Sequence, residues 1–139
     1  MIIAFISLKG GVGKSTLAVH AYGYAKREGK NAWLVDMDVQ ASASQWLDAI
    51  DSEANCYHLP DVNEAEKAIK ARSSDSDVVI VDGGGGLIEP TKAGLMLADL
   101  VVIPTKASRL DYAATLEVLR LANQAKVARG KNAARVIVV

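Results

Sequence analysis

The sequence predicts an α/β fold, a parallel sheet with helices on both faces. Three observations carry this expectation. Short apolar runs alternate with helical spacings along all 139 residues, which implies crossover connections between parallel strands. The runs are apolar throughout rather than alternating, as in strands buried on both faces. Glycines and aspartates bound the runs and no linker divides them, so residues 1–139 read as a single domain.

The elements follow in order. Residues 1–7 are a continuous apolar run, too short for a helix, and read as the first strand. Residues 15–28 place Leu17, Ala18, Ala21, Tyr22 and Ala25 on one helical face, and Gly29 stops the helix. Residues 31–36 are a second strand, 42–50 a short helix and 56–59 a short strand. Asp61 caps a helix running to Arg72. Residues 77–82 form a strongly apolar strand, 91–98 a helix and 100–104 a strand. A long helix over 111–129 ends at Gly130, and 134–139 form the last strand. Ligands of such sheets bind at the carboxyl ends of the strands. The segments "SLKGG", "DMD" and "DGGGG" follow three of those ends, so distant residues are expected to share one edge.

Composition narrows the function classes. Half of the chain is apolar, enough for a globule with a core. Lys plus Arg and Asp plus Glu are both 16, which argues against a chain-wide electrostatic footprint for nucleic acid while leaving room for a local basic patch. The lone cysteine, Cys56, gives no disulfide framework and no thiolate cluster for zinc or iron–sulfur chemistry. No basic region precedes the first apolar run and no stretch approaches the ~20 apolar residues of a membrane span. A cytoplasmic protein is the expectation.

The stretch "FISLKGGVGKST", residues 5–16, carries the sharpest chemistry. The common phosphate-loop pattern is G-x-x-x-x-G-K-[ST]. Gly13, Lys14 and Ser15 supply its end, but its first glycine falls on Leu8, followed by an added lysine, Lys9. Gly10, Gly11 and Gly13, with Val12 between them, let successive N–H groups turn toward an anion, and the helix start through Thr16 adds its partial positive charge. Lys14 can reach β- and γ-phosphate oxygens, and the Ser15 hydroxyl can ligate Mg²⁺. A dinucleotide-type glycine motif does not account for the lysine and serine.

Asp82 closes an apolar strand, where an acid holds Mg²⁺ in nucleotide hydrolases, often through a water. Four glycines follow it, at 83–86, and read either as a close approach of backbone to a ligand or partner, or as a flexible loop. Asp36 and Asp38 stand two apart at the end of the second strand, on one face if the segment is extended. One can support the Mg²⁺ shell and the other orient the attacking water. An ordinary Asp, with a pKa near ~4, is a weak base, and phosphoryl transfer depends mainly on positioning and charge.

These residues resemble the ParA/MinD superfamily of ATPases. "KGGVGKST" at 9–16 is similar to that family's deviant phosphate loop. "VDMDVQASASQW" at 35–46 resembles its second motif, and "VVIVDGGGG" at 78–86 its Walker B strand. "LMLADLVVIPTKASRLDYAAT" at 95–115 resembles the small ParF-like branch of plasmid partition ATPases. The resemblance implies a P-loop NTPase fold, ATP/ADP and Mg²⁺ as ligands, and a homodimer formed on ATP binding. It implies that Lys9 crosses the dimer interface to the partner's phosphates, in the manner of an arginine finger. Lys9, Lys14 and Asp38 are then catalytic, residues 9–16 bind nucleotide, and Ser15, Asp36 and Asp82 serve the metal. It further implies a centromere-binding, ParB-type adaptor, non-specific DNA binding and segregation of DNA, without a membrane.

The departures are specific. Val39 replaces the usual proline after the second aspartate, although Gln40 is kept. Ala107 and Arg109 stand where ParF-like members tend to have prolines. Small family members are also longer, so the C-terminal part of the family fold is expected to be missing here, with it adenine contacts and part of the DNA surface. Arg120, Lys126, Arg129, Lys131 and Arg135 make the end of the long helix basic. This is either a DNA-phosphate contact or the ordinary preference of a helix C-terminus for cations. His20, His58, Trp33 and Trp46 are assigned to structure and packing, and Cys56 to a small buried apolar site. The alternatives to a partition switch are an ATP-dependent metabolic synthetase, a MinD-like membrane-localised ATPase, which needs a C-terminal amphipathic helix that this sequence lacks, and a nucleotide-binding module without hydrolysis. Electron-transfer relatives are excluded because they need paired cysteines.

Overall fold

In a computed structural model covering residues 1–139, six parallel strands form one sheet in the order β3-β2-β4-β1-β5-β6. The strands are β1 (Ile2–Phe5), β2 (Ala32–Asp36), β3 (Cys56–His58), β4 (Val78–Asp82), β5 (Leu100–Ile103) and β6 (Arg135–Val138). Between them run α1 (Lys14–Arg27), α2 (Ser42–Ile50), α3 (Val62–Asp75), α4 (Ile88–Leu97) and α5 (Arg109–Arg129). Every expected strand and helix is present, and the fold class matches the expectation.

Side-chain alternation along the buried strands sends neighbours to opposite faces. On one face Leu34, Ile80 and Phe5 pack under Ala18, Val19 and Tyr22 of α1 and Ala43 and Leu47 of α2. On the other, Ala4, Ile6, Val79 and Val81 pack under Ile69 of α3, Leu95 of α4 and Val118 and Leu121 of α5. The two cores explain the unbroken apolar runs, since both sides of each central strand are covered.

Three helix boundaries differ from the expectation by two residues or more, each for a local reason. Helix α4 starts three residues early, at Ile88, because Pro90 falls in its first turn, where a missing N–H costs nothing. Helix α5 starts at Arg109 because Ser108 caps it, its hydroxyl accepting from the Asp111 N–H. Helix α3 continues past Arg72 to Asp75 through a serine pair that bonds back to the Lys70 carbonyl. Its expected cap is present, with Asp61 accepting from the Glu64 N–H at 3.0 Å.

The register sets the site. Phe5 and Asp36 both lie level with Asp82, on the two sides of β4. The carboxyl ends of β1, β2 and β4 therefore open on one edge, bringing together the three segments read from the sequence. At the opposite end, Arg129 of α5 donates to the Leu95 carbonyl at 2.9 Å and the Ala98 carbonyl at 2.6 Å. It thus caps the end of α4 and is removed from the proposed basic surface. No helix is long and apolar enough to cross a membrane.

Candidate functional site

The loop after β1 bends through two left-handed glycines, Gly11 (φ 71) and Gly13 (φ 100). Any side chain with a Cβ would be strained at either position. Gly13 is also the residue before α1, and it provides no side-chain cap. The first turn of α1 contains no acid. Its free N–H groups and positive end are therefore open to an anion. Leu8, standing where the common pattern has glycine, packs against the larger core.

A cleft of about 590 Å³ lies over this loop. Gly10, Gly11, Gly13, Lys14, Ser15 and Thr16 line one side, and Asp38, Gln40, Gly85 and Gly86 face them. Lys14 is 5% exposed and makes no ion pair within 4.0 Å. A buried lysine without a counter-ion is costly unless a ligand supplies the charge. Lys9 behaves differently: it is exposed and lies outside the cleft lining, its N–H donating to the Ser7 hydroxyl at 3.1 Å.

The three aspartates divide their work. Asp36 is fully buried, and its two oxygens accept from the Asp38 N–H and the Ser44 N–H, each at 2.9 Å. It ties the end of β2 to the first turn of α2. Strand β2 ends at Asp36, so Asp38 lies beyond the extended segment, and Asp38 lines the cleft whereas Asp36 does not. Asp38 accepts from the Gln40 N–H at 2.9 Å and from the Gly85 N–H at 3.3 Å. A Cβ on Gly85 would lie 3.3 Å from Lys14 Nζ and 3.5 Å from Asp38 Oδ2, so these three groups meet inside the cleft.

Asp82 is fully buried and neither of its oxygens has a hydrogen-bond partner. Burial pushes its carboxyl up to about 7. The Ser15 hydroxyl is near enough to oppose that shift in part; Asp36 and Asp38 add to it, and Lys14 opposes it. A partnerless carboxylate beside a hydroxyl and a lysine is the donor set for a hard cation and an anion bound together. Magnesium fits here: Ser15 and Asp82 have free donor atoms, and Asp36 retains lone pairs beyond its two hydrogen bonds.

The four glycines after Asp82 separate into two pairs. A Cβ on Gly83 would lie 3.0 Å from the Phe5 carbonyl oxygen, and one on Gly84 would lie 3.1 Å from that of Met37. This pair lets the loop pass between the ends of β1 and β2. The second pair, Gly85 and Gly86, lines the cleft. His58 bonds the Asp38 carbonyl at 2.9 Å and His20 the Thr16 carbonyl at 2.8 Å, in keeping with structural roles. Cys56 is half-buried, its thiol pushed up to about 12 by burial and then by Asp36 and Asp48. Ser42 and Trp46 also line the cleft. The sequence signal for them was their spacing of four on a helix that starts at the sheet edge.

The model of the CobQ/CobB/MinD/ParA nucleotide-binding domain matches residues 3–138. The chain belongs to this family. Protein ParA of Rhizobium radiobacter is 32% identical over 139 residues, covering 99% of this chain and 63% of that protein. The chain spans less than two thirds of the length of the curated relatives it matches. Cobyrinic acid a,c-diamide synthase of Mycobacterium smegmatis, solved with ADP and magnesium, superimposes with a TM-score of 0.76 at 20% identity. That match covers 99% of this chain and 71% of the synthase. A plasmid partition protein of Borrelia burgdorferi bound to AMPPNP gives a TM-score of 0.69 at 22% identity, over 99% of this chain and 68% of that one. These likenesses establish the P-loop fold, which members with different activities share.

Proposed function

We propose that this chain is the ATP-binding and ATP-hydrolysing domain of a ParA-type partition ATPase, a switch that dimerises with ATP and resets by slow hydrolysis. The observation that carries this reading is the division between two lysines of one loop. Lys14 is buried in the cleft and makes no ion pair within 4.0 Å, whereas Lys9, five residues earlier, is exposed outside it. A lysine outside its own cleft but beside its mouth is placed to serve a second subunit.

In this reading residues 10–16 bind the β- and γ-phosphates through backbone N–H groups, and Lys14 spreads the charge that develops on transfer. Ser15 and Asp82, supported by Asp36, would hold Mg²⁺, which neutralises phosphate charge when bound. Asp38 orients the attacking water, its own position fixed by Gly85 and Gln40. Lys9 of each subunit neutralises phosphate charge in the other. A ParB-type adaptor would accelerate hydrolysis, and Arg120, Lys126, Lys131 and Arg135 are exposed cations available to DNA phosphate, Arg120 beside Glu117 at 3.3 Å.

Sedimentation with Mg-ATP and with Mg-ADP tests this. The expected result is a dimer with ATP only, abolished by Lys9→Ala, with turnover abolished by Lys14→Ala. A monomer under both nucleotides, or turnover unchanged in Lys14→Ala, would overturn the switch. Turnover that requires a small carboxylic acid would point instead to an amide-forming synthetase of the same family.

A further inference from the structure

Of the twelve residues lining the phosphate cleft, only Trp46 is apolar. It is not a core residue that happens to reach the surface. The core stripe of α2 is Ala43 and Leu47, both buried. Ser42 and Trp46, four apart, form the adjacent stripe and face the cleft. Trp46 is 38% exposed.

The ring is supported from behind. His20 of α1 meets it edge-on, with centroids 5.7 Å apart and planes at 78°. His20 is itself held by the Thr16 carbonyl at 2.8 Å, in the first turn of α1, and Thr16 lines the same cleft. The other side of the indole lines an outer groove between α1 and α2, beside Tyr24 and Ile50. Trp46 is thus the partition between the phosphate cleft and that groove. Helix α2, which carries it, is tied to the acidic side of the site by the Ser44–Asp36–Asp38 hydrogen bonds.

Resting on the nucleotide reading above, we propose that Trp46 is a positioning residue of that site. Its indole closes the α2 side of the cleft over the bound phosphates, with His20 as its backing. An apolar plate there keeps water from the bound phosphates except at Asp38. It also strengthens the contacts of Lys14 by lowering the local dielectric. A large ring with two side-chain torsions does this at little entropic cost.

The chain has two tryptophans, and the second, Trp33, stacks on Tyr57 at a centroid distance of 4.8 Å, away from the cleft. Trp33→Phe therefore leaves Trp46 as the only indole fluorophore. Acrylamide quenching is measured with and without saturating Mg-ADP, which leaves the chain monomeric in the proposed cycle. Equilibrium dialysis measures ADP binding separately. The expected result is a quenching constant at least halved when ADP is bound. An unchanged constant with ADP bound would overturn the role of Trp46 and leave the nucleotide reading intact. Failure to bind ADP at all would overturn both. In the otherwise native chain, Trp46→Leu is expected to lower kcat roughly tenfold, with Trp46→Phe restoring most of it. Equal loss in both, together with a lowered melting midpoint, would assign Trp46 to packing and overturn the proposal.

Discussion

Replacing Asp82 with asparagine isolates the cost of holding a carboxylate at the end of β4 without a hydrogen-bond partner. The ordinary carboxyl value of 3.8 rises to about 7 in the folded chain. The folded state therefore holds this proton more tightly than the unfolded state. The group's contribution to stability is fully present below about pH 4 and is lost as the pH rises through 7. Each unit of difference corresponds to about 1.4 kcal/mol. Between pH 5 and pH 8 the integrated loss is about 2.5 kcal/mol. The asparagine side chain has no such proton, so the difference between the two proteins cancels every other titration. Urea unfolding without nucleotide or metal, at both pH values, is the assay. The stability of the Asp82→Asn variant relative to wild type is expected to rise by about 2.5 kcal/mol between pH 5 and pH 8. A constant difference across that range would refute the claim that burial without a partner sets the state of Asp82.

Three further substitutions probe the frame around the site. Ala41 is the only non-glycine residue with positive φ, at 54°, so Ala41→Gly is expected to stabilise the chain by about 1 kcal/mol in urea unfolding; a loss of stability would mean that the turn before α2 is not left-handed. Gly83→Ala forces a Cβ to within 3.0 Å of the Phe5 carbonyl, and a loss of about 1–3 kcal/mol is expected, with an unchanged melting midpoint as the refuting result. Arg129→Ala leaves the Leu95 and Ala98 carbonyls without their donor. It should lower stability by about 2 kcal/mol while leaving DNA affinity, read by filter binding, unaltered; weakened DNA binding in a fully stable variant would restore Arg129 to the basic surface.

The parts of the site set by periodicity were readable in advance. Apolar runs ending in acid or glycine, joined by helices, require parallel strands with their chemistry on one edge, and Phe5, Asp36 and Asp82 do lie level there. Lys14 and Ser15 were readable because a glycine-rich turn before a helix has few other uses. What could not be read depended on single backbone turns. Whether Asp36 and Asp38 act together hinges on β2 ending at Asp36, and on the left-handed Ala41 that brings the Ser44 N–H to Asp36. The two roles within the glycines at 83–86 depend on how closely β1 and β2 pass, which is a distance and not a pattern. Trp46 looked like packing because its helix is mostly amphipathic; only its neighbours show that it stands beside the core stripe.

The position of β1 in the sheet has a consequence for synthesis. It is made before both of its partners, β4 and β5, which begin at Val78 and Leu100. In the finished sheet the Phe5 carbonyl, at the start of the phosphate loop, accepts from the Gly83 N–H at 3.0 Å. A nascent chain that has passed only β2 and α2 has therefore made its β1 strand with nothing to pair it. Such high contact order slows folding and leaves that strand available to chaperones or to other chains in the meantime. The loop written in residues 5–16 thus gains its β4 neighbour only after residues 78–86 have left the ribosome.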